Sequence, residues 1–172
     1  MKKLLVTGLN GFVGCHLQAL LASMASGPWQ LLASKPHDLL DCASLDAWLQ
    51  DDCPDAVIHL AGQTFVPEAF RDPQRTIEVN LLGTLNLLQA LKRRGFSGTF
   101  LYVSSGDVYG QVAESQLPIV EALAPQPRNP YAVSKVAAEL LCQQWSYSES
   151  WRIVIARPFN HIGPGQGEAF VI

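Results

Sequence analysis

Lys3-Leu4-Leu5-Val6-Thr7-Gly8-Leu9-Asn10-Gly11-Phe12-Val13-Gly14 decides the fold. A short apolar run ends in three glycines spaced three apart, and Phe12, Val13, Leu17, Leu20 and Leu21 follow at helical spacing. The pattern predicts strand, tight turn and helix. Gly8 permits the sharp turn off the strand. Gly11 lets a bulky anion approach the backbone at the helix start, and Gly14 lets the helix sit close on the sheet. The free N–H groups and positive dipole end of such a helix suit a pyrophosphate. A glycine motif alone is weak evidence. The strand before it and the helix after it are the context that points to dinucleotide binding.

The chain around this stretch has 172 residues, enough for one domain with a real core. A net charge of −3 leaves no basic footprint for nucleic acid. No apolar run reaches the ~18 residues a membrane span needs, and the first one breaks at Thr7-Gly8, too soon for a signal peptide. Cys15, Cys42, Cys53 and Cys142 show no paired spacing. They predict reduced, mostly buried thiols of a cytoplasmic protein, with no zinc or other metal site and no disulfide frame.

Trp29-Gln30-Leu31-Leu32-Ala33 reads as a second strand. A cofactor with a free ribose 2′-OH usually meets an acidic residue at the end of this strand; Ser34-Lys35 stands there instead. Lys35 either faces a 2′-phosphate, which favours NADP over NAD, or is a solvated lysine, and the two readings carry equal weight. Asp38 either accepts from an adenine amino group or belongs to a helix N-cap region before Leu45 and Trp48. Asp55 to Gly62 is a third strand, apolar on both faces like a central parallel strand. Ala61-Gly62 at its end are small enough for backbone to lie against a ligand, and His59 reads as a satisfied core histidine. A short helix over 67–70 precedes a long one over 75–94, with Ile77, Leu81, Leu85, Leu88 and Leu91 as its apolar stripe. Asn80 inside it is a surface residue or a side chain that holds backbone near the site.

Thr99 to Val103 is the fourth strand, and Ser104-Ser105-Gly106-Asp107-Val108-Tyr109-Gly110 leaves its carboxyl end, the edge that holds ligands in open α/β sheets. A helix over 131–147 and a strand over 152–156 follow. Phe170-Val171-Ile172 resembles the first turn of a further helix, so the end is read as a truncation. Alternating strands and helices predict an α/β fold with a parallel, doubly wound sheet.

Tyr131 and Lys135 stand at i and i+4, on one helix face. An ammonium beside a phenol favours the phenolate and lowers its pKa from about 10. That makes Tyr131 a proton donor or acceptor near neutral pH, while Lys135 is also able to hold a ribose hydroxyl. The same pair also fits a solvated helix surface. Ser105, just past a strand end, is placed to bond the same substrate oxygen. A phenol and a hydroxyl converging on one oxygen suit a carbonyl reductase in which nicotinamide supplies hydride.

Gly8-x-x-Gly11-x-x-Gly14, Leu60-Ala61-Gly62, the Ser105 to Gly110 run, Tyr131-x-x-x-Lys135 and Arg157-Pro158-Phe159-Asn160 occur in this order. In these motifs the chain resembles the extended short-chain dehydrogenases/reductases, the NAD(P)-dependent sugar-nucleotide epimerases, dehydratases and reductases. Over 61–70, 104–110 and 158–165 it is most similar to the reductases of GDP-4-keto-6-deoxy-mannose, which form GDP-rhamnose. Phe159-Asn160-His161 is shared with GDP-mannose 4,6-dehydratases.

The resemblance implies an NAD(P)-binding Rossmann domain over 1–172, with the family's C-terminal substrate-binding part missing. It implies NADP, or NAD, as cofactor, a nucleotide sugar as substrate, and a homodimer through the long helices in a full-length form. It gives Ser105, Tyr131 and Lys135 the catalytic roles. Gly8, Gly11, Phe12, Val13 and Gly14 then surround the pyrophosphate, and Asp38 and Leu39 flank adenine. Leu60, Ala61 and Gly62 line the cofactor, Asn80 supports it, and Pro158 and Phe159 approach the carboxamide. Thr64, Ser105, Gly106, Asp107, Tyr131 and Asn160 meet the sugar. Dehydratases carry Glu where this chain has Asp107, and some use an acid where it has Gly106. A carboxylate one methylene short of C5 loses alignment, which favours reduction at C4. A 4-epimerase, a 4,6-dehydratase and a non-catalytic dinucleotide-binding module are the alternatives.

Overall fold

The computed structural model describes residues 1–24, 27–32, 38–49, 53–168 and 170. Ser34, Lys35, Val171 and Ile172 lie outside the described residues, so neither the 2′-phosphate reading nor the final helical turn is addressed by it. Five strands, β1 (Lys2–Thr7), β2 (Trp29–Leu31), β3 (Ala56–His59), β4 (Thr99–Val103) and β5 (Arg152–Ala156), pair in parallel in the order β2-β1-β3-β4-β5. Leu5 pairs with Val57, Val57 with Phe100, and Phe100 with Ile153. The chain steps from β1 out to β2, then crosses back to β3 on the other side. The order therefore reverses between β1 and β3, and the crevice at their carboxyl ends is the switch point where such sheets bind ligands.

Helix α1 (Phe12–Ser23) covers one face, where Leu17 and Leu21 pack on Leu4, Val6 and Ala56. On the other face α2 (Cys42–Trp48), α5 (Gly83–Arg93) and α6 (Pro130–Ser148) bury Leu45, Leu87, Leu88, Leu91, Ala138 and Cys142 against Leu5, Val57, Phe100 and Tyr102. Successive strand residues point to opposite faces, so each strand feeds both layers. The sheet is thus doubly wound, as its strand–helix alternation predicts.

The long helix over 75–94 is not continuous. It is α4 (Pro73–Ile77), a π-helical turn (Glu78–Leu82), then α5; α3 (Val66–Arg71) precedes it. The π turn inserts extra backbone and rotates the stripe. Thr76, Asn80, Thr84, Leu87, Leu88 and Leu91 are buried, whereas Ile77 is exposed and Leu85 only half-buried. Polar residues take inward positions because each finds a partner there: Thr76 Oγ1 donates to Asp72 O and Thr84 Oγ1 to Asn80 O. The cysteines also correct an expectation. All four are free thiols, but Cys15, Cys42 and Cys53 are exposed and only Cys142 is buried. Cys15 and Cys42 sit on outward positions of α1 and α2. Among the described residues no helix is long and apolar enough to cross a membrane, and no cluster of metal-ligating side chains occurs.

Candidate active site

The turn between β1 and α1 owes its shape to Gly8 and Gly14. Gly8 has φ +75°, and a Cβ there would stand 2.7 Å from Ala61 N. A Cβ on Gly14 would stand 2.3 Å from Gly8 O. Gly14 thus lets α1 close on the turn itself rather than on the sheet beyond it. Gly11 is the N-cap of α1 and offers no side-chain cap, so the first N–H groups of the helix, over Phe12 and Val13, carry no capping side chain.

A buried hydrogen-bond chain ties this turn to the opposite side of the crevice. Ala61 N donates to Thr7 Oγ1 at 3.1 Å, and Thr7 Oγ1 lies 2.7 Å from His59 Nδ1. His59 Nε2 lies 3.0 Å from Thr84 Oγ1, which itself donates to Asn80 O. Thr84 has spent its proton, so it accepts from Nε2–H. Nδ1 is then bare and accepts the Thr7 hydroxyl. His59 is a neutral imidazole, its pKa lowered to about 3 by burial and then by Lys135. The Asn80 side chain accepts from Gln63 N at 2.8 Å and donates to Gln63 O at 2.9 Å, pinning the Ala61-Gly62-Gln63 backbone. Its amide also donates to Ser134 Oγ, which donates to Tyr131 O. Asn80 is therefore the backbone-holding residue and not a surface one, and the π turn aims it; such turns recur at functional sites.

Tyr131 and Lys135, on the first turns of α6, are both buried. Ser105 is near enough to the Tyr131 hydroxyl to influence its pKa, and Ser105 Oγ accepts from Asp107 N at 3.2 Å. Lys135 does not lower the phenol's pKa as its spacing suggests. Nζ donates to Val103 O at 2.6 Å and lies 4.7 Å from the centroid of the Tyr102 ring. Burial raises the Tyr131 pKa, Ser105 lowers it and the Asp107 carboxylate raises it. Burial likewise lowers the Lys135 pKa to about 8.

Asp38 Oδ1 accepts from Leu40 N and closes a local turn, while Asp41 caps α2 by accepting from Ser44 N. The Leu39 side chain is buried beside Gly83. Leu60 and Gly62 follow β3, and a Cβ on Gly62 would come 2.9 Å from Asn80 Oδ1. Pro158 O accepts from Gly106 N at 2.7 Å. Phe159 is exposed, stacks on Tyr109 at 6.4 Å and lies over Gly106. Thr64 and Asn160 are exposed loop residues.

Several supports were not singled out from sequence. Arg157 Nη2 donates to Glu139 Oε2 at 2.7 Å and Nη1 to the Tyr109 hydroxyl at 3.0 Å, joining β5, α6 and the turn after β4. Asn129 caps α6 by accepting from Ala132 N and donates to Asp107 Oδ2 at 3.1 Å. Its place before Pro130 carries an N-cap signal, whereas its reach to Asp107 leaves no local trace.

A parallel sheet wound on both sides, with a glycine turn and a Ser–Tyr–Lys cluster at its carboxyl edge, has the architecture of a dinucleotide-type fold. The chain belongs to the NAD dependent epimerase/dehydratase family, whose model matches residues 4–171. It is 70% identical over 174 residues to a GDP-6-deoxy-D-mannose reductase of Pseudomonas aeruginosa, covering 99% of this chain and 56% of that protein. It is 32% identical over 199 residues to a GDP-mannose 4,6-dehydratase of Vibrio cholerae, covering 99% and 52%. The structure of RMD from Pseudomonas aeruginosa complexed with NADPH superposes with a TM-score of 0.94 at 68% identity, over 99% of this chain and 57% of that one. A UDP-glucose 4-epimerase from Brucella ovis in complex with NAD gives 0.81 at 31% identity, over 93% and 52%. The chain spans about half the length of these relatives.

Proposed function

We propose that the chain is a single NAD(P)-binding domain that reduces the C4 ketone of GDP-4-keto-6-deoxy-mannose to GDP-rhamnose, with NADPH preferred over NADH. The meeting of Tyr131 with Ser105 at the carboxyl edge of β4 carries this reading, in a chain 70% identical to a GDP-6-deoxy-D-mannose reductase. The crevice fits a dinucleotide. Gly8 and Gly11 put no side chain at two positions of the turn, and Ser104 Oγ and Gln63 Oε1 are buried without partners among the described residues. When bound, the reduced nicotinamide supplies hydride to C4.

The chain's own residues do the rest. Gly8, Gly11, Phe12, Val13 and Gly14 surround the pyrophosphate, which meets the uncapped start of α1, while Gly11 N itself donates to Gly8 O and shapes the turn. Asp38 and Leu39 flank adenine, Leu60, Ala61 and Gly62 line the cofactor, and Asn80 holds that backbone in place. Pro158 and Phe159 approach the carboxamide. Lys135 spends one ammonium proton on Val103 O, which leaves two for the ribose hydroxyls. Ser105 orients the C4 oxygen and Tyr131 gives it a proton as charge develops there. Thr64, Gly106, Asp107 and Asn160 meet the sugar. Reduction is favoured over dehydration because Asn129 holds the Asp107 carboxylate and the Phe159 ring fills the space above Gly106.

A homodimer is supported by exposed apolar residues on adjacent helices: Phe70 on α3, Ile77 on α4, and Val133 and Leu140 on α6. Free thiols support a cytoplasmic setting. The test is NADPH consumption with the 4-keto sugar nucleotide, using protein expressed from its complete reading frame. Tyr131→Phe is expected to lower kcat by about 10²–10⁴-fold. Equal rates for the variant and the parent contradict the proposal.

A further inference from the structure

Thr84 bonds His59, the last residue of β3, so the start of α5 lies at the carboxyl edge of the sheet. Leu39 docks on that helix start. Its side chain is buried, and a Cβ on Gly83 would stand 2.9 Å from Leu39 Cβ, so a side chain at position 83 would displace it. Asn86 lies one turn further along the same face of α5. Its Nδ2 donates to Leu39 O at 3.0 Å. The side chain and the carbonyl of Leu39 are therefore both held by α5.

The same peptide group reaches Asp38 from its other side. Leu39 O and Leu40 N belong to one planar unit, whose carbonyl and N–H point in opposite directions. Leu40 N donates to Asp38 Oδ1 at 2.9 Å, and Asp41 N donates to Asp38 O at 3.0 Å. Asn86 thus fixes the plane, and the plane fixes the carboxylate. Asp38 is exposed, and the bond to Oδ1 leaves Oδ2 for an outside donor.

We propose that Asn86 is a positioning residue: through the Leu39–Leu40 peptide it aims the Asp38 carboxylate at the exocyclic amino group of adenine, so that the site selects adenine over a base with a carbonyl in that place. The choice of adenine rests on the NAD(P)-binding reading; the hold on Leu39 does not. In the order β2-β1-β3-β4, the glycine turn at the end of β1 stands between two features. One is the Asp38 turn, which precedes α2 on the β2 side; the other is α6, whose Lys135 reaches Val103 O at the end of β4. With the pyrophosphate at the glycine turn and the nicotinamide on the Tyr131 side, the adenine falls on the Asp38 side. A carboxylate accepts from an amino group and repels a carbonyl oxygen, and hydrogen bonds to ionised groups are the strong ones.

The experiment compares Kd for NADPH with Kd for its hypoxanthine analogue, deamino-NADPH, by calorimetry on protein expressed from its complete reading frame. The parent is expected to bind NADPH roughly 10–100-fold more tightly than the analogue. Asp38→Ala is expected to remove the preference, and Asn86→Leu to reduce it by about threefold or more. Asn86→Ala repeats the test without the bulk of leucine. An Asn86 variant that binds both dinucleotides more weakly but keeps the parent's preference overturns the positioning role. A parent that binds the two equally overturns the selection of adenine. A second readout needs no ligand: by ¹⁵N NMR, the Leu40 amide is expected to exchange with solvent about tenfold faster in either Asn86 variant. An unchanged rate overturns the hold on the peptide. A parent that binds neither dinucleotide defeats the NAD(P) reading and the adenine role with it, while the Leu40 exchange rate still decides whether Asn86 holds the turn.

Discussion

Lys135 is 5% exposed, and burial lowers its pKa from 10.5 to about 8. A folded-state pKa below the unfolded one means stability that is present above the unfolded value and lost as pH falls through about 8. At pH 7 the ammonium therefore costs roughly 3 kcal/mol by this shift, offset in part by the bond to Val103 O. Lys135→Met removes the charge at similar volume. Its unfolding midpoint at pH 7 is expected to rise by about 2–4 °C, the change that 1 kcal/mol gives at this size. The gain should shrink as pH approaches 10; a lower midpoint at pH 7 contradicts it. His59 has the same sign further down the scale. Its pKa is lowered from 6.5 to about 3, so its contribution is complete above 6.5 and drains away towards 3. In urea unfolding across that range, His59→Gln is expected to give a flatter dependence on pH than the parent. An equally steep acid branch removes His59 from the cause.

The π turn is the element on which the crevice depends. It turns Asn80 inward, where one side chain pins both polar groups of Gln63 and reaches Ser134 on α6. Asn80→Ala strands buried polar groups at about 1–3 kcal/mol each. The expected result is a loss of several kcal/mol in denaturant unfolding and at least tenfold weaker NADPH binding by tryptophan fluorescence. Unchanged affinity shows that the Ala61-Gly62-Gln63 backbone needs no support. The legible parts of the sequence are those whose partners lie close along the chain. Gly8, Gly11 and Gly14 report a turn because their spacing is itself the turn, and Tyr131 and Lys135 report a helix face for the same reason. The chain through Thr7, His59, Thr84 and Asn80 joins residues up to 52 apart, and nothing local marks it. Hydropathy periodicity placed Ile77 inward because it assumes 3.6 residues per turn, which a π turn breaks. Exposure of Cys15 and Cys42 was equally hidden, since composition ranks cysteine as buried without saying which face it occupies.

At the scale of the molecule, crossing from β2 over to β3 puts the glycine turn, the Ala61-Gly62 backbone and the Ser105–Tyr131 pair along one edge of one sheet. Arg157 then stitches the far end of that edge to α6 and Tyr109. Beyond β5 the chain returns across this edge to α1, where Pro164 O accepts from His16 Nε2 and Phe12 packs near Gly163. Under the proposed function, the turn at Gly11 and the Tyr131 hydroxyl would hold two parts of the dinucleotide, which would supply hydride. The most direct measurement is the fate of the hydride. Protein expressed from its complete reading frame is given GDP-4-keto-6-deoxy-mannose and NADPH deuterated at nicotinamide C4, and the sugar is read by mass spectrometry and NMR. The expected result is one deuterium at C4 of a GDP-6-deoxyhexose, and almost none with Tyr131→Phe. Deuterium at another carbon, or equal incorporation by the variant, contradicts a site in which Tyr131, Ser105 and the nicotinamide converge on the C4 carbonyl.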